Sequence, residues 1–272
     1  MTVYEFAKGL ILEAGGQVRS RMDESIQVET KSNPNDLVTN IDREVENYIY
    51  NSILDTYPDH QVIGEEGHGH ELTQLEGFSW VIDPIDGTLN FVHQADNFAI
   101  SIGIYKDNES YAGFVYDVIS DTLYHAKKGE GAYINRQRIK TVEQTTLKTS
   151  IIGINPNWLT RSKSEAIFKQ IVADARSARA YGSAALEIVN VATGKLAAYM
   201  TPRLSPWDYA GAAIILEEVN GVVTDLLGNP LSLIKPSSVI AANPQIHEEI
   251  LTHYLSHHNE DISAFHQYLN SK

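Results

Sequence analysis

Two carboxylates lie three positions apart just after an apolar run typical of a strand. Within the segment from Trp80 to Phe91, Asp83 ends the run, Pro84 is predicted to stop the strand, and Asp86 follows. Two unpaired carboxylates at about 4 Å repel by roughly 4 kcal/mol at an effective dielectric constant of about 20. The pair therefore requires a cation, a shared proton or separation. Mg²⁺ is the natural cation for a site of oxygen ligands.

The next residues favour an anion beside that cation. Gly87-Thr88 is predicted to open a helix, whose free N–H groups and positive dipole end attract phosphate. Neighbouring metal and phosphate positions indicate metal-assisted hydrolysis of a phosphate ester, in which the ion bridges phosphate and the attacking water. The alternative is an ordinary Asp-Pro-x-Asp-Gly turn with capping acids, because such turns are common.

Further acids occur where they could join this pair. Glu65 and Glu66 end a predicted strand after Gly64, and glycine permits close backbone approach. Asp208 stands in the first turn of a helix of small residues, and Asp42 lies near another helix start. Taken singly, these two aspartates are typical of helix-start acids stabilised by the dipole.

Composition limits the class of protein. The 272 residues, 43% hydrophobic and 21% charged, are typical of an ordered globular chain with one large or two small domains. There is no cysteine, which excludes disulfides and thiolate metal sites. The net charge of −14 disfavours nucleic-acid polymers and anionic membranes, and an acidic protein that handles phosphate needs bound cations. We expect a cytoplasmic protein, since no leader or bilayer-length apolar segment is evident.

The hydrophobic pattern divides the chain into two halves that we expect to form one catalytic unit. Residues 1–146 are predicted to be an α+β half that carries the metal-site motifs: a helix over 3–22, a hairpin over 26–39 broken at Asn33-Pro34-Asn35, a helix from Thr39 or Asn40 to about Tyr57, and antiparallel strands over 98–126. Residues 147–272 alternate strands and helices, which predicts an α/β half that carries Gly182 to Ala184 and Asp208.

A histidine-containing loop, Gly67-His68-Gly69-His70, follows the paired glutamates. Two histidines at this spacing could bind a transition metal, but no third nitrogen or sulfur ligand is near in sequence. A solvated, mobile loop is the favoured interpretation.

Five segments together resemble the inositol monophosphatase family, which belongs to the wider Mg²⁺-dependent, lithium-sensitive phosphatases. The match covers about residues 3 to 250, and the segments are Lys31 to Asp42, Gly64-Glu65-Glu66, Trp80 to Asn90, Gly182-Ser183-Ala184 and Trp207-Asp208. The resemblance implies a layered α-β-α-β-α sandwich, with an antiparallel sheet in the first half and a mixed or parallel sheet in the second. It also implies a homodimer.

The resemblance implies two to three Mg²⁺ ions, or Mn²⁺ in their place. A first metal is assigned to Glu65, Asp83 and the Ile85 carbonyl, and a second to Asp83, Asp86 and Asp208. Thr88 with Asp42 resembles the pair that orients the attacking water, which Glu65 would also order. The implied substrate contacts are Asp86, Gly87, Thr88, Gly182, Ser183, Ala184, Arg203 and Asp208.

Two residues have weaker assignments. By resemblance Glu66 acts on the site through waters, and the alternative is a salt-bridged surface acid. Lys31 would lie in a hairpin loop over the site and balance charge there, and the alternative is a solvated lysine.

The alcohol side of the substrate departs from the family pattern. Inositol-selective members carry a glutamate six residues before the Trp-Asp motif, where this chain has Thr201, and such a loss weakens selectivity for ring hydroxyls. Arg203 suits a second phosphate or a nucleotide, or is a plain surface residue. Inositol 1-phosphate is the leading substrate, with the 2′-phosphate of NADP(H) and fructose 1,6-bisphosphate as rivals. A non-catalytic phosphate-ligand binder and a scaffold subunit are more distant alternatives.

Overall fold

The first elements of the chain are two helices with a β-hairpin between them. The structure is a computed structural model that describes residues 1–22, 27–31 and 37–270. Helix α1 spans Val3–Arg21, strands β1 (Val28–Thr30) and β2 (Leu37–Thr39) pair antiparallel, and helix α2 spans Asn40–Thr56. The predicted helices and hairpin are confirmed, and the predicted break at Asn33-Pro34-Asn35 lies outside the described residues.

Thr39 explains why α2 begins where it does. Its hydroxyl accepts hydrogen bonds from the N–H groups of Ile41 and Asp42, and the Asp42 carboxylate accepts one from the Thr39 N–H. This reciprocal arrangement satisfies donors at a helix start that have no partner within the helix. Asp42 is thereby fixed in the first turn of α2, fully buried.

Seven strands, adjacent in sequence order, form the sheet of the first half. They are β3 (Gln61–Gly64), β4 (Phe78–Asp86), β5 (Ala99–Lys106), β6 (Glu109–Asp117), β7 (Thr122–Lys127), β8 (Gly131–Ile134) and β9 (Gln137–Arg138), and helix α3 (Thr88–Gln94) follows β4. Every neighbouring pair is antiparallel except β3 and β4. The predicted antiparallel sheet is confirmed, with one parallel strand added at its edge.

Strand β4 does not end at Pro84, so this prediction was wrong. The strand continues to Asp86, and its pairing with β5 is irregular between Asp83 and Asp86. Proline has no N–H for a sheet ladder, and it is tolerated here because it falls within the irregular stretch. The irregularity still leaves both aspartates at one end of the sheet.

The second half alternates strands and helices, as predicted. In chain order the elements are β10 (Ile151–Gly153), α4 (Ser162–Asp174), β11 (Ser177–Arg179), α5 (Ala184–Ala192), β12 (Ala198–Leu204), α6 (Pro206–Glu217), β13 (Val222–Thr224), β14 (Ser237–Ala242), α7 (Pro244–His253) and α8 (Asn259–Asn270), with short 3₁₀ helices at Leu147–Thr149, Pro156–Leu159 and Leu255–His258. The sheet order is β11-β10-β12-β14-β13. Strand β10 pairs parallel with β11 and β12, and the other pairs are antiparallel, so the sheet is mixed.

Helices and sheets form five layers. Helices α1 and α2 cover one face of the first sheet, α5 and α6 lie between its other face and the second sheet, and α4, α7 and α8 cover the far face of the second sheet. Alternation along β4 explains the division, because Trp80 and Ile82 pack with α1 and α2 whereas Val81 packs with α5 and α6. The predicted α-β-α-β-α sandwich is confirmed.

Small residues let α6 approach the first sheet closely. A Cβ atom at Gly211 would lie 2.8 Å from the carbonyl oxygens of Ile102 and Phe114, so only glycine fits there. Ala210, Ala212 and Ala213 beside it are buried. This packing fixes the start of α6, which carries Asp208. No helix in the described part of the chain combines the length and the hydropathy that crossing a bilayer requires.

The histidine loop is anchored, which corrects the expectation of a solvated, mobile segment. The His68 ring stacks on Tyr50 with centroids 3.9 Å apart, and its Nε2 lies 2.9 Å from Asn47 Oδ1. The His70 ring stacks on Trp207, and its Nε2 lies 2.8 Å from the Gly64 carbonyl oxygen. Aromatic partners on α2 and α6 were not foreseeable from local sequence, and they hold both rings in place although His70 remains exposed.

Candidate active site

Asp83 and Asp86 lie at the end of β4 and are buried, with 1% and 7% of their surface exposed. The Ile85 N–H donates to Asp83 Oδ1 at 3.0 Å. Among the described residues, the other oxygen of Asp83 has no hydrogen-bond partner. A buried carboxylate oxygen without a partner is unfavourable unless a cation or proton compensates its charge. The strand end therefore fits a bound cation.

Asp208 reaches the same place from the start of α6. The Ser205 N–H donates to its Oδ2 at 2.7 Å, which orients the side chain in the first helical turn. Carboxylate oxygens of Asp83, Asp86 and Asp208 lie within 4.8 Å of one another, and no histidine belongs to this group among the described residues. The three aspartates that the sequence assigned to metal binding are therefore brought together.

Asp86 is held by the start of α5. Its carboxylate accepts hydrogen bonds from the Ser183 hydroxyl, from the Ala184 N–H at 3.3 Å and from the Ala185 N–H at 2.7 Å. Ser183 also accepts from the Leu186 N–H, so it caps the helix and contacts the acid at once. The segment that the sequence assigned to substrate contact thus also orients a predicted metal ligand.

The three aspartates repel one another. Burial raises the pKa of Asp83 well above its ordinary value, and the charges of Glu65, Asp86 and Asp208 raise it further. Burial and the charge of Asp86 also raise the pKa of Asp208. Burial raises the pKa of Asp86 to about 6, although the donors on α5 act against the rise. Without a cation this cluster would hold protons near neutral pH. The donor set, all oxygen and dense in negative charge, matches Mg²⁺.

Glu65, Glu66 and Lys31 form a second charged group beside the aspartates. Lys31 Nζ lies 3.0 Å from Glu65 Oε1 and 2.6 Å from Glu66 Oε1. Burial acts to lower the pKa of Lys31, but the charges of Glu65 and Glu66 outweigh it and raise the pKa, so the ammonium stays charged. Burial raises the pKa of Glu66 to about 7. Lys31 is thus ion-paired rather than a solvated lysine. Glu66 is a largely buried acid, with 5% of its side chain exposed.

Thr88 links the start of α3 to the start of α2. Its hydroxyl lies 3.1 Å from Asp42 Oδ1 and 3.1 Å from the Ile85 carbonyl oxygen, and both can accept its proton. Burial raises the pKa of Asp42 to about 6, while the hydrogen bonds from Thr39 lower it. The predicted Thr88–Asp42 pair is therefore in contact, and the Ile85 carbonyl lies beside it.

Gly87 and Arg203 complete the predicted set. Gly87 has φ +96° and turns the chain from β4 into α3, a conformation that favours glycine. Arg203 is exposed near the end of β12, and its positive charge lowers the pKa of Asp208. Thr201 is buried. It offers a hydroxyl at the position where inositol-selective members were expected to have a glutamate.

Sequence reasoning missed the residues that hold the loops of the site. Glu46, 1% exposed, accepts the N–H of Glu66 at 2.6 Å and that of His68 at 3.4 Å. A signal existed, because Glu46 interrupts the apolar face of α2 one turn after Asp42. Glu187, which holds the Tyr181 N–H, gave a comparable signal because it interrupts the largely apolar run of α5, whereas Asn90, which holds the Tyr181 carbonyl, gave none.

Known proteins are similar to this chain over most of its length. The profile of the inositol monophosphatase family matches residues 1–259. The inositol-1-monophosphatase of Bacillus subtilis strain 168 is 48% identical over 253 residues, which cover 92% of this chain and 96% of the relative.

Solved structures agree with that match. SaIMPase-II bound to inositol monophosphate superposes with a TM-score of 0.91 at 55% identity, covering 98% of this chain and 99% of the other, and SaIMPase-II bound to 2′AMP gives 0.92 at 56%, covering 98% and 100%. An IMPase/NADP phosphatase complexed with Mg²⁺ and phosphate gives 0.83 at 27% identity, covering 92% and 95%. The family match over nearly the whole chain and the 48% identical relative show that this chain belongs to the inositol monophosphatase family.

Proposed function

We propose that the protein is a Mg²⁺-dependent phosphomonoesterase that hydrolyses inositol 1-phosphate or a related small phosphate ester. The observation that carries this proposal is the group of Asp83 and Asp86, both buried, with the partly buried Asp208, whose carboxylate oxygens lie within 4.8 Å of one another. Their mutual repulsion and the unpartnered oxygen of Asp83 are explained by a bound cation. The family membership and the 48% identical inositol-1-monophosphatase point to the same chemistry.

We assign the ligands of each metal by the family resemblance, and the oxygen donors present fit Mg²⁺. One Mg²⁺ would be held by Glu65, Asp83 and the Ile85 carbonyl. A second would be held by Asp83, Asp86 and Asp208. A third ion is part of the same proposal, and Mn²⁺ can replace Mg²⁺. Bound ions supply charge neutralisation for the phosphate and acidify water. The IMPase/NADP phosphatase complexed with Mg²⁺ and phosphate supports this assignment.

Thr88, Asp42 and Glu65 are the proposed catalytic residues. The Thr88 hydroxyl directs its proton toward Asp42 or the Ile85 carbonyl, which leaves a lone pair free to accept a hydrogen bond from the attacking water. Asp42 is held by Thr39, so the pair is preorganised and can orient the water. Glu65, paired with Lys31, would order the same water.

The N–H groups of Gly87 and Thr88 are the proposed donors to the substrate phosphate, and Asp86 and Asp208 are further proposed substrate contacts. Gly182, Ser183 and Ala184 remain proposed substrate contacts, in addition to the hydrogen bonds that Ser183 and Ala184 make with Asp86. Glu66 would act through ordered water, and Lys31 would balance the charge of Glu65 and Glu66.

A second candidate substrate is a nucleotide 2′-phosphate such as that of NADP(H). Thr201 replaces the glutamate expected of inositol-selective members, and the positive charge of Arg203 lies near Asp208. SaIMPase-II, 56% identical, has been solved with 2′AMP as well as with inositol monophosphate. Fructose 1,6-bisphosphate is a third candidate, and a phosphate-ligand binder without turnover is the distant alternative.

The proposal extends to the whole protein. Residues 1–146 and 147–272 are proposed to form one catalytic unit, because Asp83 and Asp86 come from the first segment and Asp208 from the second. A homodimer in the cytoplasm completes the proposal. The lack of cysteine suits a reducing compartment.

Phosphate release from inositol 1-phosphate, 2′AMP, NADP and fructose 1,6-bisphosphate tests the proposal directly. We expect release that requires Mg²⁺, stops in excess chelator and is lost in Asp83→Asn. Relative kcat/KM values would rank the substrates. Full activity in chelator would refute the metal assignment, and ligand binding without release by the wild-type protein would support the non-catalytic alternative instead.

A further inference from the structure

Glu187 is a carboxylate buried among apolar residues on α5, with 2% of its surface exposed. Burial raises its pKa to about 7, and the charge of Asp86 adds to that rise, while the N–H groups of Tyr181 and Gly182 oppose it. Oε2 has no hydrogen-bond partner among the described residues, and it occupies space that a Cβ atom at Gly153 would fill. An acid in this position destabilises the fold relative to a well-packed apolar side chain.

The acid makes one strong contact, with the loop that leads into its own helix. Glu187 Oε1 accepts the Tyr181 N–H at 2.7 Å. On the other side of the same residue, Asn90 Nδ2 donates to the Tyr181 carbonyl oxygen at 2.6 Å and to the Asn97 carbonyl oxygen at 2.9 Å. The backbone of Tyr181 is therefore held at both its N–H and its C=O. Gly182, which follows with φ +83°, packs directly against Asn90.

The next three residues hold Asp86. The Ser183 hydroxyl and the N–H groups of Ala184 and Ala185 all donate to its carboxylate. Residues 181–185, which we name the Asp86 loop, thus have Glu187 and Asn90 at one end and Asp86 at the other. A shift at Tyr181 would be transmitted through few bonds to the orientation of Asp86.

We propose that Glu187 is a positioning residue, which fixes the Asp86 loop through the Tyr181 N–H and so orients the Asp86 carboxylate for catalysis. The proposal rests on the phosphatase function proposed above. Among the described residues no hydrogen bond joins Glu187 to Thr88, Asp42 or Glu65, so its proposed effect on the reaction passes through the loop. A helix-start acid with a merely structural role would affect stability alone.

Two substitutions separate these roles. Glu187→Gln keeps an acceptor oxygen of the same reach for the Tyr181 N–H and removes the charge. Glu187→Met keeps the volume and removes the acceptor. Glu218→Met is the matched control, because Glu218 accepts the N–H groups of Gly129 and Gly131, both at 2.8 Å, in a turn that contains no predicted site residue.

Amide hydrogen exchange of the metal-free proteins reports the loop without reference to activity. In Glu187→Met we expect exchange in residues 181–185 to be faster by about tenfold or more, because the amide loses a buried acceptor. In Glu187→Gln we expect it within about threefold of wild type. In Glu218→Met only the turn at 129–131 should exchange faster.

Kinetics on the substrate that the wild-type protein cleaves best complete the test. For Glu187→Met we expect kcat to fall about tenfold or more, since small misplacements are costly, with KM within about threefold because no substrate contact is removed. The Mg²⁺ concentration for half-maximal activity should rise. Glu187→Gln should restore most of kcat, and Glu218→Met should leave it unchanged.

The outcomes are decisive in either direction. Wild-type kcat or wild-type loop exchange in Glu187→Met would overturn the proposal, as would equal losses in the Gln and Met variants. If Glu187→Met does not fold, Asn90→Ala removes the other hold on Tyr181 and must produce fast exchange with loss of kcat. If the wild-type protein cleaves no ester, the proposed function fails, whereas the exchange measurement still decides whether Glu187 holds the loop.

Discussion

At the scale of single residues, the buried acids of the site differ in how they are supported. Asp86 has three donors and Asp42 two from Thr39, whereas Asp83 accepts only the Ile85 N–H among the described residues. Its other oxygen has no hydrogen-bond partner among these residues. The charges of Glu65, Asp86 and Asp208 raise the pKa of Asp83. Asp83 is therefore the acid whose charge depends most on a cation.

Neutralising Asp83 should separate activity from stability. In Asp83→Asn we expect kcat/KM to fall by about a hundredfold or more, because a proposed ligand to both metals is lost. The metal-free protein should unfold at higher urea concentration than wild type, since one repelling charge is removed. Phosphate release and urea unfolding in chelator check both effects. An active or a destabilised variant would contradict this assignment.

The Thr88 hydroxyl is expected to act in the reaction itself. Thr88→Val keeps the shape but leaves Asp42 Oδ1 without its donor, and we expect kcat to fall by about a hundredfold or more. Thr88→Ser, which retains the hydroxyl, should stay within about tenfold of wild type. Steady-state kinetics at saturating Mg²⁺ measure both variants. If Thr88→Val were as active as Thr88→Ser, the Thr88 hydroxyl would have no role in the mechanism.

At the scale of elements, α6 determines where Asp208 lies. Its small residues let the helix touch the backbone of β5 and β6, and the Ser205 N–H then orients the aspartate at its start. The position of Asp208 therefore depends on how rigidly α6 packs on the first sheet.

Alanine at position 211 should disturb that packing. The added Cβ would lie 2.8 Å from two carbonyl oxygens, so we expect Gly211→Ala to lower the free energy of unfolding by about 1–3 kcal/mol and to weaken Mg²⁺ binding. Gly16→Ala is the control, because nothing lies within 4 Å of its added Cβ in α1, and it should be neutral or stabilising by up to about 1 kcal/mol. Urea unfolding and calorimetry distinguish them. A Gly211→Ala protein as stable as Gly16→Ala would contradict the close approach.

Elements with local signals were predictable from the sequence, and tertiary supports were not. Thr39 marks the start of α2 by its own chemistry, and the start predicted at Thr39 or Asn40 is confirmed. Pro84 gave a false strand end because pairing with β5 tolerates an irregular stretch there. The anchors of His68 and His70 lie on distant helices, so no nearby residue revealed them.

The candidate site shows the same division. Its acids were identified because the motifs resemble a family, and the structure brings Asp83, Asp86 and Asp208 together. The hold of Glu46 on the turn at Glu66, and that of Glu187 on Tyr181, depend on side chains meeting backbone groups across loops. Such contacts follow from the fold rather than from spacing along the chain.

At the scale of the whole molecule, negative charge is concentrated at the site of an already acidic chain with net charge −14. Burial raises the pKa of Asp42 and Asp86 to about 6 and that of Glu46, Glu66 and Glu187 to about 7. The folded, metal-free protein therefore holds protons that the unfolded chain releases at lower pH. These acids make stability fall as pH rises through this range, because the unfolded state holds fewer of their protons, whereas histidines whose pKa burial lowers (His60, His68, His125, His247 and His266) act in the opposite sense below about pH 6.5.

The pH dependence of stability gives a test on the intact protein. The rise in urea midpoint that Mg²⁺ causes relative to chelator should be larger at about pH 8 than at about pH 5.5, because at the lower pH Mg²⁺ must displace protons from the folded acids. Mg²⁺ binding should also release protons, which calorimetry in buffers of different ionisation enthalpy measures. Equal stabilisation by Mg²⁺ at both pH values, without proton release, would show that the acids of the site are not protonated in the folded, metal-free protein.

The location of Arg203 also bears on how the family diversifies. The three aspartates are anchored in layers packed on both faces, where few replacements are tolerated, whereas Arg203 projects from an exposed strand end. On the proposed assignment of Arg203 to the substrate, this exposed position can change while the proposed metal ligands stay constant. Descendants of one ancestor can acquire new substrates by changing surface side chains, with little penalty to folding.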